Sequence, residues 1–344
     1  MPKRILFIAP KYMNLYKDII AEMERQQYDV DFIAEQSYMD DPDNIRGYAR
    51  FAEFLTNEKK FKKKIDGIWS QLLEKPEYGK AYDYCFVLDG QSISSVLFQV
   101  LRGRNPNVKI VNYLFDTTTG VYHFEKNFQN YDKVFSFDLN ESKKYQINFL
   151  PIYWLPCDEQ PCPRYDIFGF GAIKDERYRL FVKLETLAKK KGLSYYLKLY
   201  NFVNVKVMLL YRFRYAVYQL IHLKNIISPE AILSSFSTRQ TFSPNEFRRY
   251  IAGANVVVDT ASQYQDGLTA RFMWGLGLGK KIVTTNFNVE KYDFYDPKQV
   301  FIYHDSVDEG QLENFLMSEY KMDCAQEKKI CSYRIDFWLK TLLG

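Results

Sequence analysis

The residues best suited to chemistry lie in one stretch, Ala254 to Asn286. It reads Ala254-Asn-Val-Val-Val-Asp259, then Thr260 to Gln265, Asp266-Gly-Leu-Thr-Ala-Arg271, Phe272 to Gly279, and Lys280-Lys-Ile-Val-Thr-Thr-Asn286. Arg271 supplies a fixed charge whose planar fork suits phosphate oxygens. Free N–H groups at a helix start favour an anion as well. A phosphate or diphosphate is the ligand this combination implies. For proton transfer the candidates are Asp116, Asp89 and His123. Asp116 comes first, because a strand end followed by Thr117-Thr118-Thr119 holds it in a polar loop. Asp89 is second, and the ordinary use of His123 is structural. Asp138 also ends a strand pattern; helix capping and turn chemistry account for most such aspartates.

These residues need strands and helices to place them. Val256 to Val258 is a short β-branched run of the kind buried in a parallel sheet. Asp266-Gly267 opens a helix, with Asp266 as N-cap. Gly275, Gly277 and Gly279 weaken that helix, and Gly279 can stop it in a left-handed cap. Ile282 to Thr284 is the next strand, so Lys280 and Lys281 fall at the opposite end of the sheet from the loop. Such a unit sets the loop at the carboxyl end of the strands, where open α/β sheets bind ligands.

Taken in order, the chain opens β-α-β: strand Lys3–Ala9, helix Asn14–Gln27, strand Tyr28–Ala34. It lacks GxGxxG, so this is not a dinucleotide fingerprint. Asn44 to Lys75 is lysine-rich and helical. Strand patterns follow at Tyr82–Leu88, Val108–Phe115 and Lys133–Phe137, with a helix at Gln91–Arg104. Prolines cluster between Leu150 and Tyr165, the best linker. A second α/β half has strands at Tyr165–Phe170, Tyr195–Tyr200 and Gln299–Tyr303. Its helices are Asp175–Lys191, Ser243–Ala252, Gly310–Tyr320 and Cys324–Leu342.

At 344 residues, 47% of them hydrophobic, the chain can bury two ordinary cores. A net charge of +5 is mild and does not imply nucleic acid. Five cysteines and three histidines argue against a zinc cluster. The odd cysteine count and the absence of a leader point to reduced thiols in a cytoplasm. No run of about 20 apolar residues spans a membrane. Asp29-Val-Asp31 has the spacing of a metal-holding pair, but Asp31 opens a strand. Between Thr186 and Pro229 there is no acidic residue and there are eight Lys or Arg, interleaved with aromatics. That suits an anionic membrane surface; the competing reading is a core helix with snorkelling lysines.

Gln265 to Arg271, with Gly279-Lys-Lys-Ile-Val-Thr-Thr-Asn286 after it, resembles the donor half of GT-B glycosyltransferases, nearest to those of bacterial lipopolysaccharide and capsule synthesis. Asp166-Ile-Phe-Gly-Phe-Gly171 with Arg177 supports it, as do Leu88-Asp-Gly90 and Tyr113-Leu-Phe-Asp116. The resemblance implies two Rossmann-like domains facing across a cleft: 1–155 for the acceptor, 165–325 for a nucleotide-sugar, and a C-terminal helix, 326–344, crossing back to the first. It implies donor contacts from Gly169, Gly171, Arg177, Gln265, Asp266, Gly267, Leu268, Thr269, Arg271 and Asn286. It further implies sugar transfer without a metal or other cofactor, to a glycan or lipid-linked glycan; the cysteines place the chain in the cytoplasm, and the basic segment places it peripheral to the inner membrane face. One departure stands out: the acidic residue such proteins place three after the arginine, for the ribose, is Trp274 here. An indole cannot accept two hydroxyl hydrogen bonds. A catalytically silent binding protein of the same fold, and a nucleotide-sugar epimerase, are the rival readings.

Overall fold

The computed structural model describes residues 2–11, 14–35, 58–90, 93–118, 127–157, 164–201, 227–261 and 266–344. These form two compact units. One comprises the chain up to Tyr153, residues 266–267 and the tail Tyr333–Gly344; the other holds the remainder.

The first unit is built on strands β1 (Arg4–Ala9), β2 (Asp29–Ala34), β3 (Tyr84–Leu88), β4 (Lys109–Leu114), β5 (Lys133–Ser136) and β6 (Asn148–Phe149). They form one sheet in the order β2-β1-β3-β4-β5-β6, every neighbour parallel. β3 is buried at every position, as a strand covered on both faces must be. Its helices are α1 (Leu15–Arg25), α2 (Glu58–Leu73), α3 (Ser95–Arg104) and α4 (Leu139–Tyr145). Ser94 caps α3 by accepting from Val96 N–H. Asp138 caps α4 by accepting from the N–H groups of Asn140 and Glu141.

The second unit has β7 (Tyr165–Ala172), β8 (Tyr195–Tyr200), β9 (Ser237–Thr238), β10 (Ala254–Val258), β11 (Lys281–Thr284) and β12 (Val300–Ile302). Their order is β12-β11-β10-β7-β8-β9, again parallel throughout. Helices α5 (Asp175–Lys191), α6 (Pro229–Leu233), α7 (Pro244–Gly253), α8 (Ala270–Gly277), α9 (Glu309–Met317) and α10 (Cys324–Cys331) cover it. α7 starts at a full capping box, Ser243 with Glu246, and Pro244 at its first position. Strand order reverses between β1 and β3 in one sheet and between β7 and β10 in the other. Open α/β sheets bind ligands at such switch points, beyond the carboxyl ends of the strands.

Three sequence expectations change. The helix expected over Cys324–Leu342 is two helices, α10 and α11 (Ile335–Leu343). α11 belongs to the first unit, where Trp338 is fully buried against Tyr113, Tyr153 and Phe86 and donates to the Pro151 carbonyl. The N-cap of α8 is Thr269, not Asp266: the Thr269 hydroxyl accepts from Phe272 N–H. Gly277 does more than weaken α8. A Cβ there would lie 2.1 Å from the Trp154 ring, so only glycine admits the indole.

Candidate functional site

At the switch point of the second sheet, two arginines converge. Arg177 lies in the first turn of α5 and is 6% exposed. Its Nε donates to the Thr260 hydroxyl at 2.8 Å, and its Nη1 to the Ala172 carbonyl at the end of β7. Arg271 rises from the first turn of α8. Its Nη1 donates to Asp259 Oδ1 at 3.2 Å, just past β10. Asp259 is wholly buried and also accepts from the Thr269 hydroxyl at 2.7 Å. Gly171 makes room for both guanidinium groups: a Cβ there would sit 2.6 Å from Arg177 Nη1 and 2.9 Å from Arg271 Nη2.

Lys174, between β7 and α5, joins them. Burial, and then the charges of Arg177 and Arg271, hold its ammonium below the usual range. Burial and the neighbouring Arg271 push Arg177 down to about 9, so it is still charged at neutral pH. Three cations thus share one strand edge, offset in part by Asp259 and Glu176. Charges crowded and desolvated in this way favour an anion that neutralises them. Sequence reasoning missed Lys174 and Thr260; their only signal was position directly after a strand.

The other expected donor contacts separate. A Cβ at Gly169 would strike the Phe181 ring at 2.8 Å, so that glycine serves close packing. Leu268 is core, 1% exposed. Asn286 is buried, and its side chain caps a short turn by accepting from Asn288 N–H. The N–H groups of Asp266 and Gly267, expected to be free for an anion, both donate to Asp138 Oδ2, at 2.9 and 3.0 Å, within the first unit. Gln265 and His123 lie outside the described residues. Trp274 is 1% exposed, packed on Phe247 beneath the Arg248 guanidinium, so it fills core rather than lining an edge. Lys281 is buried too, its ammonium donating to the carbonyls of Phe315, Leu316 and Ser318 at the end of α9.

At the switch point of the first sheet stands Asp89, 7% exposed, with a left-handed backbone at φ 62°. Its Oδ1 accepts from Phe115 N–H at 2.6 Å and Asp116 N–H at 2.9 Å. No hydrogen bond among the described residues falls on Oδ2. Burial raises this carboxyl to about 7, against the pull of those two amides. The turn is held from both sides. Buried Glu35 accepts from Gly90 N–H at 3.2 Å, and Asn112 Nδ2 donates to the carbonyls of Val87 and Asp89. Strained backbone so firmly fixed is common at functional sites. Asp116 is half-buried and accepts from its neighbour, Thr117 N–H, at 2.8 Å. Asp31, of the Asp-x-Asp pair, is taken by Lys80 and Tyr82.

No protein-family model matches the sequence, and no curated protein is similar to it in sequence. Solved structures are similar in fold. The N-terminal domain of the Candida albicans trehalose-6-phosphate phosphatase matches with a TM-score of 0.57 at 11% identity, over 99% of this chain and 96% of that one. AviGT4, a glycosyltransferase involved in avilamycin A biosynthesis, gives 0.56 at 8%, over 99% and 96%. The lipopolysaccharide outer core galactosyltransferase WaaB gives 0.52 at 10%, over 98% and 97%. The chain has the GT-B fold. Among the described residues no helix is long and apolar enough to cross a membrane.

Proposed function

We propose that this protein transfers a sugar from a nucleotide-sugar to a hydroxyl of a cell-surface polysaccharide or lipid-linked acceptor, without a metal. The observation that carries the reading is the cluster of Arg177, Arg271 and Lys174 around Gly171. Three cations at a switch point suit the two negative charges of a diphosphate ester. They stabilise the charge that grows on it as the sugar–oxygen bond breaks, the task a metal ion does elsewhere. Asp89 takes the proton from the acceptor hydroxyl as that oxygen bonds to the sugar carbon, and the nucleoside diphosphate leaves. Asp89 fits the base better than Asp116, since its carboxyl is poised near neutral pH with one oxygen unbonded. The lipopolysaccharide or capsule setting rests on the likeness of Gln265–Asn286 to that group. A peripheral, cytoplasmic-face location rests on the basic segment. Lys189, Lys190 and Lys191 of that segment are already paired with Glu185 and Glu313, and 202–226 lies outside the described residues.

Trp274 favours a second reading, a nucleotide-binding protein without turnover, because no carboxylate stands at that position. Thermal shift against UDP, GDP, CMP and ADP, with and without their sugars, tests the first claim. Stabilisation by a nucleoside diphosphate, lost in Arg271→Ala, is the expected result. Indifference to all of them ends the sugar-transfer reading, and binding without sugar release or transfer selects the second.

A further inference from the structure

Two consecutive residues, Asp259 and Thr260, hold the arginine cluster of the second unit together. They follow β10 directly, and both are buried, at 0% and 4% exposure. Polar side chains so far from water need partners. Theirs include the two arginines. Asp259 Oδ1 accepts from Arg271 Nη1 at 3.2 Å and from the Thr269 hydroxyl at 2.7 Å. Thr260 Oγ1 accepts from Arg177 Nε at 2.8 Å. The backbone beneath them is fixed along β11. Asp259 N–H donates to the Val283 carbonyl at 2.8 Å, and Ala261 N–H to the Thr285 hydroxyl at 2.8 Å. Adjacent side chains thus grip arginines that come from different helices, α5 and α8.

The grip works against a repulsion. Arg271 pushes the Arg177 pKa down, and Asp259 acts the opposite way. Like charges on long, flexible side chains separate unless something fixes them. We infer that Asp259 and Thr260 are positioning residues for phosphate binding: they keep the two guanidinium groups turned toward one anion. The inference rests on the donor reading of the cluster and names the residues that shape that site. Asp259 is itself an anion among the cations, so its charge alone opposes a phosphate. Its contribution is orientation, and the two effects have opposite signs. Thr260 carries no charge, so it acts only through where it holds Arg177.

The test is calorimetric titration of the full chain with inorganic pyrophosphate. Thr260→Val binds it about tenfold more weakly, and Thr260→Ser, which keeps the hydroxyl, stays within about twofold of wild type. Arg177→Lys keeps the charge but not the Nε–H, so in that background Thr260→Val has no further effect. Asp259→Asn removes a negative charge from among cations and still weakens binding, by about threefold. The Asp259 variant keeps the test open if Thr260→Val does not fold. Tighter binding by Asp259→Asn, unchanged binding by Thr260→Val, or a Thr260→Val effect of the same size with and without Arg177 overturns the inference. The last of these is what a merely structural threonine gives. Wild-type chain that does not bind pyrophosphate at all overturns the donor reading along with the inference; the other failures leave that reading standing.

Discussion

At the scale of single residues, the second-sheet site turns on the space that Gly171 leaves. Alanine there would meet only the ends of two flexible side chains, Arg177 and Arg271. Gly171→Ala should therefore keep the folded stability within about 1 kcal/mol while displacing both guanidinium groups. Nucleotide affinity, measured by calorimetry, should fall by about 1.5–3 kcal/mol, the worth of a charged hydrogen bond. Unaltered affinity would remove these arginines from the site. Asp89 carries a pH prediction of definite sign. Its folded pKa, about 7, lies above the unfolded carboxylate value. Between those two values the folded chain keeps a proton that the unfolded chain has lost. Stability therefore falls as pH rises through that window, in total by on the order of 4 kcal/mol. Asp89→Asn lacks this loss, so it should melt above wild type at pH near 8 but not at pH near 5. Turnover, if Asp89 is the base, declines on the acid side of about 7 and is abolished in the same variant. A melting difference that is the same at both pH values would contradict the buried-carboxyl account.

At the scale of elements, the helices that carry the site are set by caps that are legible locally and by packing that is not. α7 starts where its sequence pattern begins, at Ser243, and the structure shows why: Ser243 and Glu246 close a capping box and Pro244 takes the first position. α8 is less plain. Asp266 is a good N-cap type, yet its N–H is drawn to Asp138, and the helix starts at Thr269, whose hydroxyl serves α8 and Asp259 at once. Thr269→Val should cost about 1 kcal/mol of stability in chemical denaturation, as lost caps do. It should also loosen Arg271 by freeing Asp259. A stability change near zero would show that the cap is not the start of α8. Gly277→Ala contrasts with the change at Gly171, because the atom it meets belongs to the rigid Trp154 indole. It should destabilise by about 1–3 kcal/mol with little direct effect on nucleotide contacts. The split of the terminal helix has a similar cause: Trp338 docks in the first unit while Ile330 supplies its carbonyl to Trp154 in the second.

At the scale of the whole molecule, a ligand for the arginine cluster should act on one unit. A nucleotide at about 100 times its dissociation constant should add about 2.7 kcal/mol to the folded state. Hydrogen exchange should show that gain around Gly171, Arg177, Asp259 and Arg271, and protection confined to the first sheet would place the ligand elsewhere. The sequence alone determined a parallel α/β chain in two halves, because runs such as Val256–Val258 and Tyr84–Leu88 read as strands buried on both faces wherever they occur. It also determined that Arg177 and Arg271 each follow a strand, since connection lengths are local. Only the tertiary structure decided that the two guanidinium groups share the space above Gly171, that Trp274 turns into the core, and that the oxygen left open belongs to Asp89. Each of those outcomes depends on partners distant in the chain, 83 residues from Arg177 to Thr260 and 26 from Asp89 to Phe115. Local periodicity says which residues are strand or helix; it carries no information about which distant group fills the space beside them.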